Sequence, residues 1–441
     1  MLNLGCFVVD ASPPPAARAI ATRALVDTVG VTLAGASEPA GRNVQQVVAA
    51  DGAGPCRILG TALRSTASSA ALANGTAAHA HDYDDMCFVS LAHPSAPLVA
   101  AALAAAERDH ASGRALLDAY VIGFELEARI GRAMNPRHYQ RGWHCTSTLG
   151  TLGAAAAVAR VCGLSPRTAD HALAIAASEA SGLKENFGSM VKPLHAGLAA
   201  RNGVLAADLA AHGLTASLSA ISGPQGLLTA MDSASTSLEG FIEDLGRRWE
   251  ILETGITLKL YPSCAATHPP LDALLELRRR ECVLATHVAS VEVGVDAITP
   301  TVLLYERPAS PLEGKFSMPF CAAAALVDGH VGLDTFTVAK LHDPGIGALQ
   351  ARVTMRIDPT LDAAAPPLTQ ARVAITLQNG RTITAAANGA RGYPDQPASD
   401  EEVSAKFVSC ATRAMSEAQA MNLLTALRAV EAAPDVTAIL A

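Results

Sequence analysis

Runs of small apolar residues, at positions 96–106, 154–161 and 199–211, constrain this chain most. Alanine and leucine are strong helix formers, and a helix studded with alanine lets its neighbours come close. Half of the 441 residues are hydrophobic and only 4% are aromatic. The core is therefore built from closely spaced helices, with few large rings. Such a length suits one large core and a smaller second domain. The most apolar run, 96–106, is ended by Glu107, Arg108 and Asp109. It falls short of the ~20 residues that span a bilayer.

Charge and cysteine usage narrow the partners. The net charge of −8 repels nucleic acid and anionic membrane. Nine cysteines are scattered without a CxxC pair, the pattern of reduced thiols in a cytoplasmic protein. Residues 1–10 hold no basic residue before their short apolar run, so they read as a poor signal peptide.

The helical pattern holds up to about residue 257. Beyond it, Val291, Val293 and Val295 alternate with other residues, as do Val353, Met355 and Ile357, then Val373, Ile375 and Leu377. Period two predicts strands, and Asn379-Gly380 predicts a tight hairpin. The expected fold is mostly α. Residues 1–257 and 395–441 form one large all-helical domain from both chain ends. Residues 258–394 form a smaller inserted α+β domain.

Three polar clusters precede predicted helices. The first runs from His79 through His81, Asp82, Asp84 and Asp85 to His93-Pro94. The second holds His138, Tyr139, Trp143, His144 and Ser147. The third is Lys192-Pro193-Leu194-His195. Pro94 and Pro193 read as first helical residues, which puts His93 and Lys192 at caps. A helix start offers unpaired N–H groups and partial positive charge, a seat for a carboxylate. Three such starts with Lys192, His93 and His144, if they converge, make a pocket for a di- or tricarboxylate. Plainer readings stand beside this one. The aspartates are also good caps. The His/Asp set suits a metal by ligand type, but its spacing fits no established motif. His195 and His268 read as core histidines, and Cys264 as a buried thiol more than a nucleophile.

These segments resemble the MmgE/PrpD family. The matching stretches are Asn74 through His79 to Asp85, His93-Pro94-Ser95, Gly142-Trp143-His144 and Ser147 to Gly153. Lys192-Pro-Leu-His195 follows, then Ala200 to Gly203, Tyr261 to Cys264 with Thr267-His268, Phe316-Ser317 and Ala324 to Gly329. The resemblance implies an active site between the helical domain and a lid. It also implies a homodimer, with no metal and no organic cofactor. It assigns function to Asp82, His93, His144, Lys192 and Lys259. Met86, Cys264 and Phe320 stand where decarboxylases of the family carry threonine, histidine and tyrosine. Tyr139 matches an acid/base tyrosine of the family's epimerases.

The expected chemistry is a cofactor-independent lyase on a small polycarboxylate, a dehydratase above all. Proton abstraction beside a carboxylate would build an enolate-like anion. Lys192, His144 and the helix starts would meet that charge, with His93 as base, Tyr139 on the other face and Asp82 as support. Lys259, Cys264 and Ser147 join His144 as substrate contacts. The alternatives are an epimerase of an amino- or imino-dicarboxylate, a cis-aconitate-type decarboxylase, and a non-catalytic binding protein.

Overall fold

Glycines decide where the helices of the first unit touch. In the computed structural model, which describes residues 4–361 and 366–439, Gly75 of helix Ala67–His79 lies against Gly197 of helix Val191–Ala211. A Cβ on Gly75 would stand 2.9 Å from the Gly197 Cα, so a side chain there would force the backbones apart. Beside this crossing, Ala78, Ala96 and Ala196 form one small, fully buried cluster. Ala96 belongs to helix Ser95–Arg108, which covers the apolar run expected at 96–106. Gly203 sits against Ala154 of helix Cys145–Val161, and Gly123 against Gly153 where helix Gly113–Met134 passes. The protein is mostly α, and its small residues set the helix spacing.

The chain divides into two compact units. One holds the residues up to Glu185, Val191–Leu258 and those from Ser399 on. Its last segment opens with a capping box at Ser399 and Glu402, which starts helix Asp400–Ala411. That helix packs on Pro15–Gly35, with the Phe407 ring close over Gly30. Arg18 ties the same long helix to Glu431 at 2.6 Å. Among the described residues, no single helix is long and apolar enough to cross a membrane.

The other unit holds Lys259–Ala398 and the short piece Asn186–Met190. Its four-stranded sheet runs in the order Val353–Ile357, Val288–Val295, Gln370–Leu377, Thr382–Asn388. The first pair is parallel and the others antiparallel. Val291, Val293, Val295, Val373 and Ile375 are buried, as their alternation requires. Gly380 closes the predicted hairpin at φ 82°. Helices His268–Arg280 and Met318–Asp328 pack against the sheet. The sequence pattern leaves residues 186–190 with the helical part. The structure gathers them here, because the Tyr305 hydroxyl donates to the Phe187 carbonyl at 2.7 Å and the Phe187 ring lies 5.6 Å from that of Phe316.

Candidate active site

The crossing at Gly75 and Gly197 brings His79, four residues beyond the one, near Lys192, five residues before the other. The Lys192 ammonium lies 2.7 Å from His79 Nε2 and 2.6 Å from Asp82 Oδ1. All three side chains are buried. Lys192 lies inside the first turn of its helix, not at the cap. Its burial comes from this packing, since its sequence neighbours Met190 and Val191 are exposed. Asp82 reaches it from a left-handed backbone conformation, φ 52°, which aspartate tolerates better than most residues.

His79 is oriented from behind. Its Nδ1 lies 2.8 Å from Asp84 Oδ2. A carboxylate only accepts, so Nδ1 carries the hydrogen and Nε2 offers its lone pair to Lys192. Burial and then, among other charges, the nearby ammonium oppose a proton on this ring, and the Asp84 charge offsets them only in part. Its pKa falls below the usual histidine value.

The same logic fixes His93. Its Nδ1 lies 2.8 Å from the Asp85 carbonyl oxygen, an acceptor. In the neutral ring Nε2 is therefore the basic nitrogen, 3.9 Å from Asp82 Oδ1. The His93 amide donates to Thr146 Oγ1 at 3.0 Å. Helix Ser95–Arg108 starts one residue later than expected, with Pro94 at the cap position. Ser95 instead bonds the Asp85 side chain, through its amide at 3.1 Å and through its hydroxyl, which also meets the Tyr120 hydroxyl at 2.6 Å. Full burial pushes the Asp85 carboxyl up to about 8, and the Ser95 bonds only partly offset this. Burial thus favours the neutral form of Asp85.

His144 caps helix Cys145–Val161, and its ring lies 5.7 Å from that of His79. Its Nδ1 lies 3.0 Å from His195 Nδ1, so one ring donates and the other accepts. Burial, with repulsion from neighbouring rings and Lys192, holds both below the ordinary value, His195 at about 4. The Ser147 hydroxyl donates to the His195 carbonyl at 3.3 Å. Gly182 makes room for this corner: at φ 123° its Cβ would meet Ser147 Cβ at 2.6 Å.

The structure therefore joins Asp82, His93, His144, Ser147 and Lys192 in one buried cluster. The sequence puts His79 and Asp84 in the first polar cluster without a role and reads His195 as a core histidine; the structure brings all three into the same cluster. Tyr139 is held by Lys184, whose ammonium stands 3.7 Å from the ring centroid and donates to the Tyr139 carbonyl at 3.2 Å. Lys259 and Cys264 are buried in the second unit, where the Cys264 amide donates to the Lys315 carbonyl at 3.0 Å. His268 is a buried core histidine there, edge-on to Tyr261. Asn74 is structural, since its amide bonds both Leu59 N and the Arg57 carbonyl. Among the described residues, His79, Asp82, Asp84 and His93 also form a ligand set of the kind a divalent ion takes. The Lys192 ammonium is bonded to two of the four, so a metal would have to displace it.

A model of the MmgE/PrpD N-terminal domain matches residues 8–237, and one of the C-terminal domain matches residues 261–431. The chain belongs to the MmgE/PrpD family. The cis-aconitate decarboxylase of Aspergillus terreus (strain NIH 2624 / FGSC A1156) is 26% identical over 440 residues, 94% of this chain and 89% of that protein. The cis-aconitate decarboxylase of Homo sapiens is 27% identical over 382 residues, 84% of this chain and 78% of that protein. That of Mus musculus is 28% identical over 383 residues, 84% and 77%. These MmgE/PrpD relatives support an enzyme of lyase type.

Proposed function

We propose that this MmgE/PrpD chain is a cofactor-independent lyase that abstracts a proton beside a carboxylate of a small di- or tricarboxylate and eliminates water. The observation that carries the reading is the buried Lys192 ammonium, held by His79 and Asp82 within the same cluster as an imidazole whose basic nitrogen is fixed. His93 Nε2 takes the α-proton. The electron pair moves into the adjacent carboxylate, and the Lys192 ammonium stabilises the enediolate that forms. Collapse of that anion expels the β-hydroxyl, which leaves as water with a proton from a second group. Tyr139 is the candidate for that group. Asp82 fixes the ammonium, and Asp84 fixes His79.

Charge balance supports substrate uptake with a proton. The cluster holds one ammonium, two carboxylates at Asp82 and Asp84, and the His79, His144 and His195 imidazoles, whose neutral form burial favours. An entering carboxylate favours protonation of the His144–His195 pair. His144 and Ser147 then serve as substrate contacts. Homodimerisation and a cytoplasmic site of action complete the proposal.

Incubation of hydroxylated di- and tricarboxylates in heavy water, followed by NMR, tests it. The expected result is an unsaturated product with loss of water. Carbon dioxide release from cis-aconitate would keep the lyase class and replace the dehydratase reading, as the names of the relatives suggest. Deuterium entering the α-carbon with neither loss would overturn the lyase reading in favour of an epimerase, which the pairing of Tyr139 with His93 would then explain.

A further inference from the structure

A second buried lysine lies under the same loop. Lys406, from the helix Asp400–Ala411 near the chain's end, places its ammonium 2.6 Å from Asp27 Oδ1 and 2.7 Å from the Tyr83 carbonyl oxygen, to which it donates. The same ammonium stands 4.1 Å from the centroid of the Tyr83 ring. The side chains of Lys406 and Asp27 are almost wholly buried. Tyr83 is the residue between Asp82, which holds Lys192, and Asp84, which holds His79.

We infer that Lys406 is a positioning residue for the reaction, a fixed cation that sets the spacing of the Asp82 and Asp84 carboxylates through the Tyr83 backbone. The argument is geometric. Asp82 and Asp84 point to different partners, and Asp82 adopts φ 52°. Two peptide units join these carboxylate residues, and the second carries the Tyr83 carbonyl. Lys406 binds that carbonyl, and a charge-assisted bond at this distance is short and directional. Asp27 and the Tyr83 ring hold the ammonium in turn. A buried ion pair adds little to stability compared with apolar residues of the same volume, and its better-attested use is to specify one arrangement. A 27–406 pair linking the two ends of the chain, directly beneath the reactive turn, has that use. The inference rests on the lyase reading for its effect on turnover, but not for its effect on the loop.

The test uses the full-length protein with Lys406→Met, the double variant Asp27→Asn/Lys406→Met, and Tyr83→Phe. The double variant removes the orphaned charge, so it folds even if Lys406→Met does not. Hydrogen–deuterium exchange is measured across residues 79–86, and kcat and KM on the substrate found above. In the double variant, exchange of this segment rises at least tenfold while the helices remote from it keep their protection. Its kcat falls at least tenfold with KM changed less than threefold. Tyr83→Phe, which keeps ring and carbonyl, behaves as the parent in both readouts. Unchanged exchange at 79–86 in the double variant overturns the inference, whatever the activity. If the parent proves to have no lyase activity, raised exchange still upholds the anchor, and only the functional reading fails.

Discussion

Lys192 and Asp82 form a 2.6 Å ion pair with both side chains almost fully buried. Burying two charges costs more than a simple apolar contact would, so the pair is poor value as a stabilising device. Its worth lies in a positive charge held still where an enediolate would form. Lys192→Met should lower kcat/KM by roughly 10²–10³-fold, the scale of one lost oxyanion donor. Lys192→Arg should not rescue it, because a planar guanidinium cannot keep the point contacts to both Asp82 and His79. Steady-state assays of both variants check this, and retained activity in Lys192→Met would remove the ammonium from the mechanism.

Substrate binding should take up protons. Burial first, then Lys192 and neighbouring rings, depress the histidine pKa values, with His195 at about 4. A bound carboxylate raises them. Between that value and about 6.5, the ordinary histidine pKa, affinity for a non-reacting tricarboxylate such as tricarballylate should therefore increase as pH falls. Calorimetry at pH 6 in buffers of different ionisation enthalpy would show net proton uptake. In His195→Gln the uptake should shrink. Equal heats in all buffers would contradict the charge balance drawn for the cluster.

Four of the clustered residues were legible in the sequence because they flank helix starts. His93, His144 and Lys192 lie beside proline or polar punctuation, and Asp82 sits in a dense acidic run. His79 and Asp84 stood in the same polar cluster, but their roles were not legible. The role of His79 arises from the Gly75–Gly197 crossing, a contact between segments more than a hundred residues apart. His195 left a usable signal: it follows Lys192 by three residues, which puts both on one helix face. The strands were legible from period two. The membership of Asn186–Met190 in the second unit was not, since it depends on the distant Tyr305 and Phe316.

Asp85 should make stability fall as pH rises from about 4 to 8. Its carboxyl is raised by burial to about 8 from an ordinary value of 3.8. The folded state therefore binds the proton more tightly than the unfolded one. That contribution is fully present below about pH 4 and is lost as pH rises through 8. Asp85→Asn mimics the neutral acid and can still donate to Ser95. The variant should match the parent's melting temperature near pH 4 and lose less of it between pH 4 and 8. Parallel melting curves for the two proteins over that range would show that Asp85 is not protonated in the fold.

Gly197 should matter more to activity than its lack of a side chain suggests. A Cβ there would overlap the Leu72 carbonyl and the Thr76 hydroxyl on the neighbouring helix. The two helices must then separate, at a cost of at least about 1–3 kcal/mol as in other overpacked cores. The displacement acts where His79 and Lys192 meet, so their 2.7 Å contact lengthens with it. Gly197→Ala should lower the denaturation midpoint and reduce kcat/KM about tenfold or more, since misplacement by an ångström is costly in a site that relies on fixed charge. Gly347→Ala is the matching control. Gly347 is also helical, but a Cβ there would meet nothing within 4 Å, and that variant should keep both stability and activity. Equal behaviour of the two variants would mean that the helix crossing does not set the geometry of the site.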